Sequence, residues 1–141
     1  MGQSTWNPAV PRMCALVSKA SVLLVDDNIE DLYYHFDVLL GQGHKVSSCC
    51  NYGQAADLLE IRKYDLAFVN QGSRAFEGKV VLERANAIPN RVPVIVLARC
   101  SDMDCYLEAM RLGAVDYFQK PVPPALMRNL VETCLGISAL A

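Results

Sequence analysis

Several things are scarce in this chain, and each scarcity removes a class of protein. No apolar run approaches the ~20 residues needed to cross a bilayer. The stub at Met13–Val17 is also too short for the core of an export signal. There is no excess of positive charge: 13 basic residues face 15 acidic ones, for a net charge of -2. That balance argues against electrostatic binding of nucleic acid, which needs a basic face. Of six cysteines, none forms a CxxC pair, and the two histidines, His35 and His44, share no ligand spacing with them. Zinc and disulfide frameworks are therefore disfavoured, and the thiols read as small hydrophobes in a reducing, cytoplasmic setting. Met1-Gly2 opens like an acylation signal, but Trp6 stands where Ser or Thr is required.

What is present is a rhythm. The 141 residues are 52% hydrophobic, enough for one domain with a real core. Val22-Leu23-Leu24-Val25 suits a strand buried on both faces, and it stops at Asp26-Asp27. Asn28 to Leu40 reads as a helix, with Ile29, Leu32, Tyr33, Phe36, Leu39 and Leu40 at helical steps and glycines at its end. Lys45–Cys50 is a second strand. Asn51 and Gln54 form a capping pair for a helix carrying Ala55, Leu58 and Leu59. Asp65–Val69 is the third strand and Gly78–Ala87 the third helix. "PVIVLA", Pro93–Ala98, is the fourth strand. Ser101 with Asp104 starts a helix whose Leu107, Met110 and Leu112 face inward and which ends at Gly113. Val115–Phe118 is the fifth strand, and Pro123–Leu135 the last helix, with proline tolerated in its first turn.

Strand and helix thus alternate five times, which implies a parallel sheet covered on both faces. Residues 1–19 read as an extension or linker, 20–136 as the domain, and 137–141 as a tail or the start of a linker. Ligands in such sheets sit beyond the carboxyl ends of the strands, near the switch in strand order. The tips are Asp26 and Asp27, Asn70, Ala98 and Lys120. A strand that delivers one polar side chain at its tip usually delivers it to a site. Asparagine is a curious choice there, being neutral, a poor nucleophile and a weak metal ligand.

"VLLVDDN", a third strand ending 43 residues after Asp27, "PVIVLA" and "GAVDYFQKP" together resemble the receiver domain of two-component response regulators. The resemblance covers Ser21 to Gly136 and implies a flavodoxin-like (βα)5 sandwich with strand order 2-1-3-4-5. In that family, an aspartate at the third tip accepts a phosphoryl group from a histidine kinase. An acidic pair holds magnesium, a lysine before proline contacts the phosphoryl oxygens, and a hydroxyl and an aromatic report the event. Carried over, Asn70 takes the phosphoacceptor position and cannot be phosphorylated. Asp26, Asp27 and Gly72 take a weak or vestigial magnesium position, Lys120 the lysine position, and Ala98 and Tyr117 the switch positions. Lys120-Pro121 matches a bond that is commonly cis in the family, and Gly78 the glycine opening the third helix. Departures are Asn70 for aspartate, Ala98 for the hydroxyl, Ser73-Arg74 for the usual methionine-proline pair, and Glu77 before the glycine.

An amide cannot form an acyl phosphate. Hard cations prefer anionic oxygens, so a magnesium site lacking one carboxylate binds weakly. The resemblance therefore implies a non-enzymatic pseudo-receiver that signals through protein contacts without phosphorylation and requires no cofactor. Its partner is a histidine kinase or another signalling protein, and the face of fourth helix, fifth strand and fifth helix can pair two copies. The alternative is a conventional receiver carrying an engineered acceptor substitution. A flavin carrier on the same fold is disfavoured, because Asp-Asp-Asn stands where a phosphate loop belongs. Plainer roles compete at each position. The Asp26-Asp27 pair can cap a helix, Lys120 can sit on the surface, and Tyr117 can be simple core. Arg74 can be solvated or can reach into the acidic pocket, and the histidines belong to the surface or to helix ends.

Overall fold

The computed structural model describes residues 20–140. Five parallel strands run β1 (Ser21–Val25), β2 (Lys45–Cys49), β3 (Leu66–Asn70), β4 (Val94–Ala98) and β5 (Asp116–Gln119). The helices between and after them are α1 (Ile29–Gly41), α2 (Tyr52–Ile61), α3 (Lys79–Ala87), α4 (Met103–Arg111) and α5 (Pro124–Leu140). The sheet order is β2-β1-β3-β4-β5, the expected 2-1-3-4-5. The chain steps from β1 outward to β2, then crosses back to β3 on the other side of β1. The crevice that this reversal opens lies between the tips of β1 and β3.

Alternation along the strands divides the interior in two. Leu23, Val25, Ala67, Val69, Val94 and Val96 meet the buried faces of α2, α3 and α4. Val22, Leu24, Leu66, Phe68, Ile95 and Leu97 meet α1 and α5. β3 and β4 are buried at every residue, which is why they read as unbroken apolar runs. Full burial of a side chain such as Phe68 contributes about 1.5–3 kcal/mol.

Side-chain caps fix where three helices begin. Asn28 accepts from the Asp31 amide at 3.0 Å, and Asn51 accepts from the Gln54 amide at 2.8 Å. α4 is capped by Asp102, which accepts from the Cys105 amide at 3.0 Å, so the helix starts one residue later than a Ser101 cap would give. Cys105 and Ala109 are buried, whereas Leu107 points outward at 56% exposure instead of inward. Met110 and Leu112 do pack against the core. α5 continues to Leu140, past the expected Leu135.

The histidines are not surface residues: His35 and His44 are interior, at 1% and 5% exposure, although His44 does lie at the C-terminal end of α1, where its amide donates to the Leu39 carbonyl. His35 Nε2 accepts from the Val122 amide at 3.1 Å, and Nδ1 faces the Asp31 carbonyl at 2.9 Å, so each ring nitrogen has a backbone partner. His44 Nδ1 accepts from the Ala20 amide at 3.2 Å. Among the described cysteines all thiols are free; Cys49, Cys105 and Cys134 are buried as expected, but Cys50 and Cys100 are exposed. Cys14 lies outside the described residues.

Candidate functional site

The strand tips bring Asp26, Asp27, Asn70 and Lys120 to one edge of the sheet. Asp26 continues β1 and is 2% exposed. Its Oδ1 accepts from the Asn28 amide at 2.9 Å and its Oδ2 from Lys120 Nζ at 2.8 Å. Lys120 is itself buried, and its Nζ also lies 2.8 Å from Asp31 Oδ2. Asp31 takes a second cation, Arg99 Nη2, at 2.8 Å. Burial works to raise the Asp31 pKa, but the hydrogen bond and charge of Lys120, with those of Arg99, outweigh it and hold the carboxyl below its ordinary value. Lys120 is thus no plain surface lysine, and the cap of α1 is Asn28, not the acidic pair.

Asp27 is the exposed member of the pair. Asn70 Nδ2 donates to Asp27 Oδ1 at 3.1 Å and to the Tyr52 hydroxyl at 3.0 Å. A carboxylate can only accept, so the amide nitrogen must face it. The Tyr52 hydroxyl is pushed up from its ordinary pKa, first by burial and further by the negative charge of Asp27 and Asp26. The edge therefore holds three carboxylates, two cations and a neutral amide, each paired with at least one of the others.

Ala98 is fully buried at the end of β4, and its carbonyl accepts from the Lys120 amide at 2.8 Å. Tyr117 is half-buried. Its hydroxyl donates to Gln71 Oε1 and accepts from the Asp102 amide at 3.2 Å. Its ring stands edge-on to Tyr106, with centroids 5.5 Å apart. The Lys120–Pro121 bond is cis. Arg74 does not enter the acidic pocket: its Nε lies 3.2 Å from Asp102 Oδ2, and its side chain stays 91% exposed.

The loop after β3 is closed by Glu77, which accepts from the Ser73 amide at 2.7 Å and the Ser73 hydroxyl at 2.8 Å. Those bonds lower the Glu77 pKa. Gly72 has a φ of +88°, and a Cβ there would strike the Glu77 carboxylate. At Gly78 a Cβ would strike the Asn70 carbonyl, so the turn into α3 requires glycine for space. Phe76 adopts a φ of 57° while buried, an uncommon conformation for a bulky residue that the surrounding loop contacts enforce.

Sequence inspection missed Asp31, Arg99, Tyr52 and Gln71. Asp31 stands four residues after Asp27 on a capped helix, one turn away, and that spacing was the available signal. Arg99 follows Ala98 at a strand tip, and Tyr52 opens the helix after β2. Gln71 has no comparable signal, since its partner Tyr117 is 46 residues away.

Crevice, strand order and acidic edge together define a receiver-type α/β domain. The family model for the response regulator receiver domain matches residues 22–132. This chain belongs to that family, the receiver domains of two-component signalling systems. Among curated proteins it is 28% identical over 115 residues to the transcriptional regulatory protein ZraR of Escherichia coli O157:H7, covering 82% of this chain and 26% of that protein. It is 31% identical over 119 residues to the alginate biosynthesis transcriptional regulatory protein AlgB of Pseudomonas aeruginosa, covering 84% and 26%. It is 25% identical over 118 residues to sporulation initiation phosphotransferase F of Bacillus subtilis, covering 84% and 95%. The chain thus spans about a quarter of the length of the two regulators. Among solved structures, the receiver domain of the sensor histidine kinase PA1611 from Pseudomonas aeruginosa, with magnesium in its active-site cleft, superposes with a TM-score of 0.75 at 23% identity, covering 84% and 98%.

Proposed function

We propose that this chain is a pseudo-receiver: a signalling domain that works through protein contacts and accepts no phosphoryl group. The observation that carries this reading is the Asn70 amide, whose nitrogen faces Asp27 at 3.1 Å. The β3 tip offers a hydrogen-bond donor where phosphoryl transfer needs an anionic oxygen nucleophile. An amide oxygen is neutral and its nitrogen lone pair is delocalised, so no acyl phosphate forms there. The domain is then no enzyme and operates in the cytoplasm.

The residues present do not fit a tight magnesium site. Asp26 is committed to Lys120 and the Asn28 amide, and Asp27 to the amide of Asn70. Among the described residues no group of three or more acidic, histidine or cysteine side chains is arranged to hold a metal ion. Gly72, held by the Glu77 clasp, adds no charge. Lys120 and Arg99 supply internally the positive charge that a cation would bring.

The output surface in this reading is the face of α4, β5 and α5. Met103, Tyr106, Leu107 and Val115 lie exposed along it, an apolar patch suited to a second copy or to a signalling partner such as a histidine kinase.

The test is intact-mass spectrometry after incubation with acetyl phosphate and magnesium. Unchanged mass is expected. A stoichiometric phosphoryl adduct labile to hydroxylamine would overturn the proposal. Sedimentation of the wild type and Leu107→Glu across concentration reports separately on self-pairing.

A further inference from the structure

The helix α1 carries more exposed apolar surface than a solvated helix needs. Ile29, Tyr33 and Leu40 are 50%, 64% and 51% exposed, and the half-buried Phe36 lies between them. Their steps of four, three and four residues place them on one stripe. Acids flank that stripe: Glu30 and Asp37 are exposed, and α1 contains neither lysine nor arginine. An apolar stripe edged by one sign of charge suits an occupant of apolar and basic character.

Such an occupant exists in the chain itself. Residues 1–19 hold Arg12 and Lys19 and no acid, with Met13, Leu16 and Val17 as an apolar cluster. Ala20, the first described residue, is buried in the same cluster as Leu39. Its amide donates to His44 Nδ1 at 3.2 Å, and the His44 amide donates to the Leu39 carbonyl at 3.3 Å. The preceding chain therefore joins the domain at the C-terminal end of α1 and on the α1 side of the sheet. Reach is sufficient. The 13 residues of α1 span about 20 Å at ~1.5 Å per residue. Met13 stands seven residues before Ala20, which allows up to about 23 Å at ~3.3 Å per residue.

We infer that the N-terminal segment around Met13–Val17 docks on the Ile29–Tyr33–Leu40 stripe of α1, with Arg12 and Lys19 answering Glu30 and Asp37. This is independent of whether Asn70 can be phosphorylated.

The experiment uses the full chain, labelled with nitrogen-15, and runs in both directions. Leu16→Asp with Val17→Asp removes the apolar cluster from the segment; its largest amide shifts outside the segment are expected on residues 29–41. Tyr33→Glu with Leu40→Glu changes only exposed side chains, so the fold persists by circular dichroism, and shifts are expected on residues 12–19. Glu30→Lys with Asp37→Lys should move the same segment amides. Shifts confined to the mutated element in either direction would overturn the inference, as would shifts on a different face of the domain. Shifts that vanish on dilution would overturn it too, assigning the stripe to a second copy.

Discussion

Lys120 Nζ lies 2.8 Å from Asp26 Oδ2 with both side chains almost wholly buried, so cation and carboxylate neutralise each other inside the protein. Removing one partner strands the other without water. Lys120→Met is expected to destabilise the domain by about 3–5 kcal/mol, the usual cost of leaving a buried charge unpaired. Lys120→Met combined with Asp26→Asn is expected to cost less than the single change. Urea unfolding of the two variants compares them directly; a double variant that is weaker than Lys120→Met would contradict the pairing.

Asn70→Asp replaces an amide donor with a further carboxylate facing Asp27, turning a 3.1 Å hydrogen bond into a repulsion. Two like charges at that separation oppose each other by a few kcal/mol at an effective dielectric of ~20. The variant is expected to melt below the wild type in chelator and to recover with magnesium. The wild type should gain little from magnesium. Equal gains in thermal melts of both proteins would remove the charge argument.

Restoring the acceptor should not restore a response. Tyr117 is tethered to Gln71 and to the Asp102 amide, and Ala98 has no hydroxyl to turn toward the β3 tip. A ligand shifts an equilibrium only through different affinity for its two states. Asn70→Asp with beryllofluoride is therefore expected to leave amide shifts over residues 98–120 nearly unmoved. Adding Ala98→Thr is expected to move them. A single variant that shifts as far as the double would transfer the coupling to some other residue.

Stability is expected to fall as the solution is acidified below pH 6.5. Burial depresses the pKa of both His35 and His44 below the ordinary 6.5, against the pull of Asp31 and Asp26 on His35 and of Glu132 on His44. Lys120 adds to the depression at His35. A histidine kept neutral in the fold but protonated when unfolded contributes stability above 6.5, and that contribution is lost as pH drops below it. Each such group steepens the dependence by at most about 1.4 kcal/mol per pH unit. Asp31, whose pKa is lowered, has its own loss only as pH falls below the ordinary 3.8. Urea midpoints between pH 7 and 5 should flatten in His35→Gln; an unchanged slope would show that His35 does not titrate with unfolding.

Local patterns carried most of the architecture. Unbroken apolar runs located β1, β3 and β4 to within a residue at each end, because strands buried on both faces need nothing else. The tips followed, and Asp26, Asp27, Asn70 and Lys120 do meet at one edge. Who binds whom there was less legible. The choice between Ser101 and Asp102 as cap turns on Tyr117 and Arg74, which approach from elsewhere in the chain. His35 resembles a polar surface residue until the Val122 amide, 87 residues away, takes its ring nitrogen. Of the two destinations open to Arg74 the solvated one holds, with Asp102 as its ion-pair partner. Such pairings depend on chain separations of tens of residues, which periodicity does not encode.

The sheet keeps two hydrophobic interiors out of touch with each other, and neighbours in sequence belong to different ones. Ile95 lies with α1 and α5, while Val96, the next residue, lies with α2, α3 and α4. Ile95 shares its interior with Val131, far along the chain. Energetic kinship should follow the interior, not the sequence. In double-mutant cycles by urea unfolding, Ile95→Val and Val96→Ala are expected to add, whereas Ile95→Val and Val131→Ala show coupling of about 0.5 kcal/mol or more. Each face can then accumulate substitutions on its own account, so the α4–β5 surface and the α1 surface are free to diverge separately.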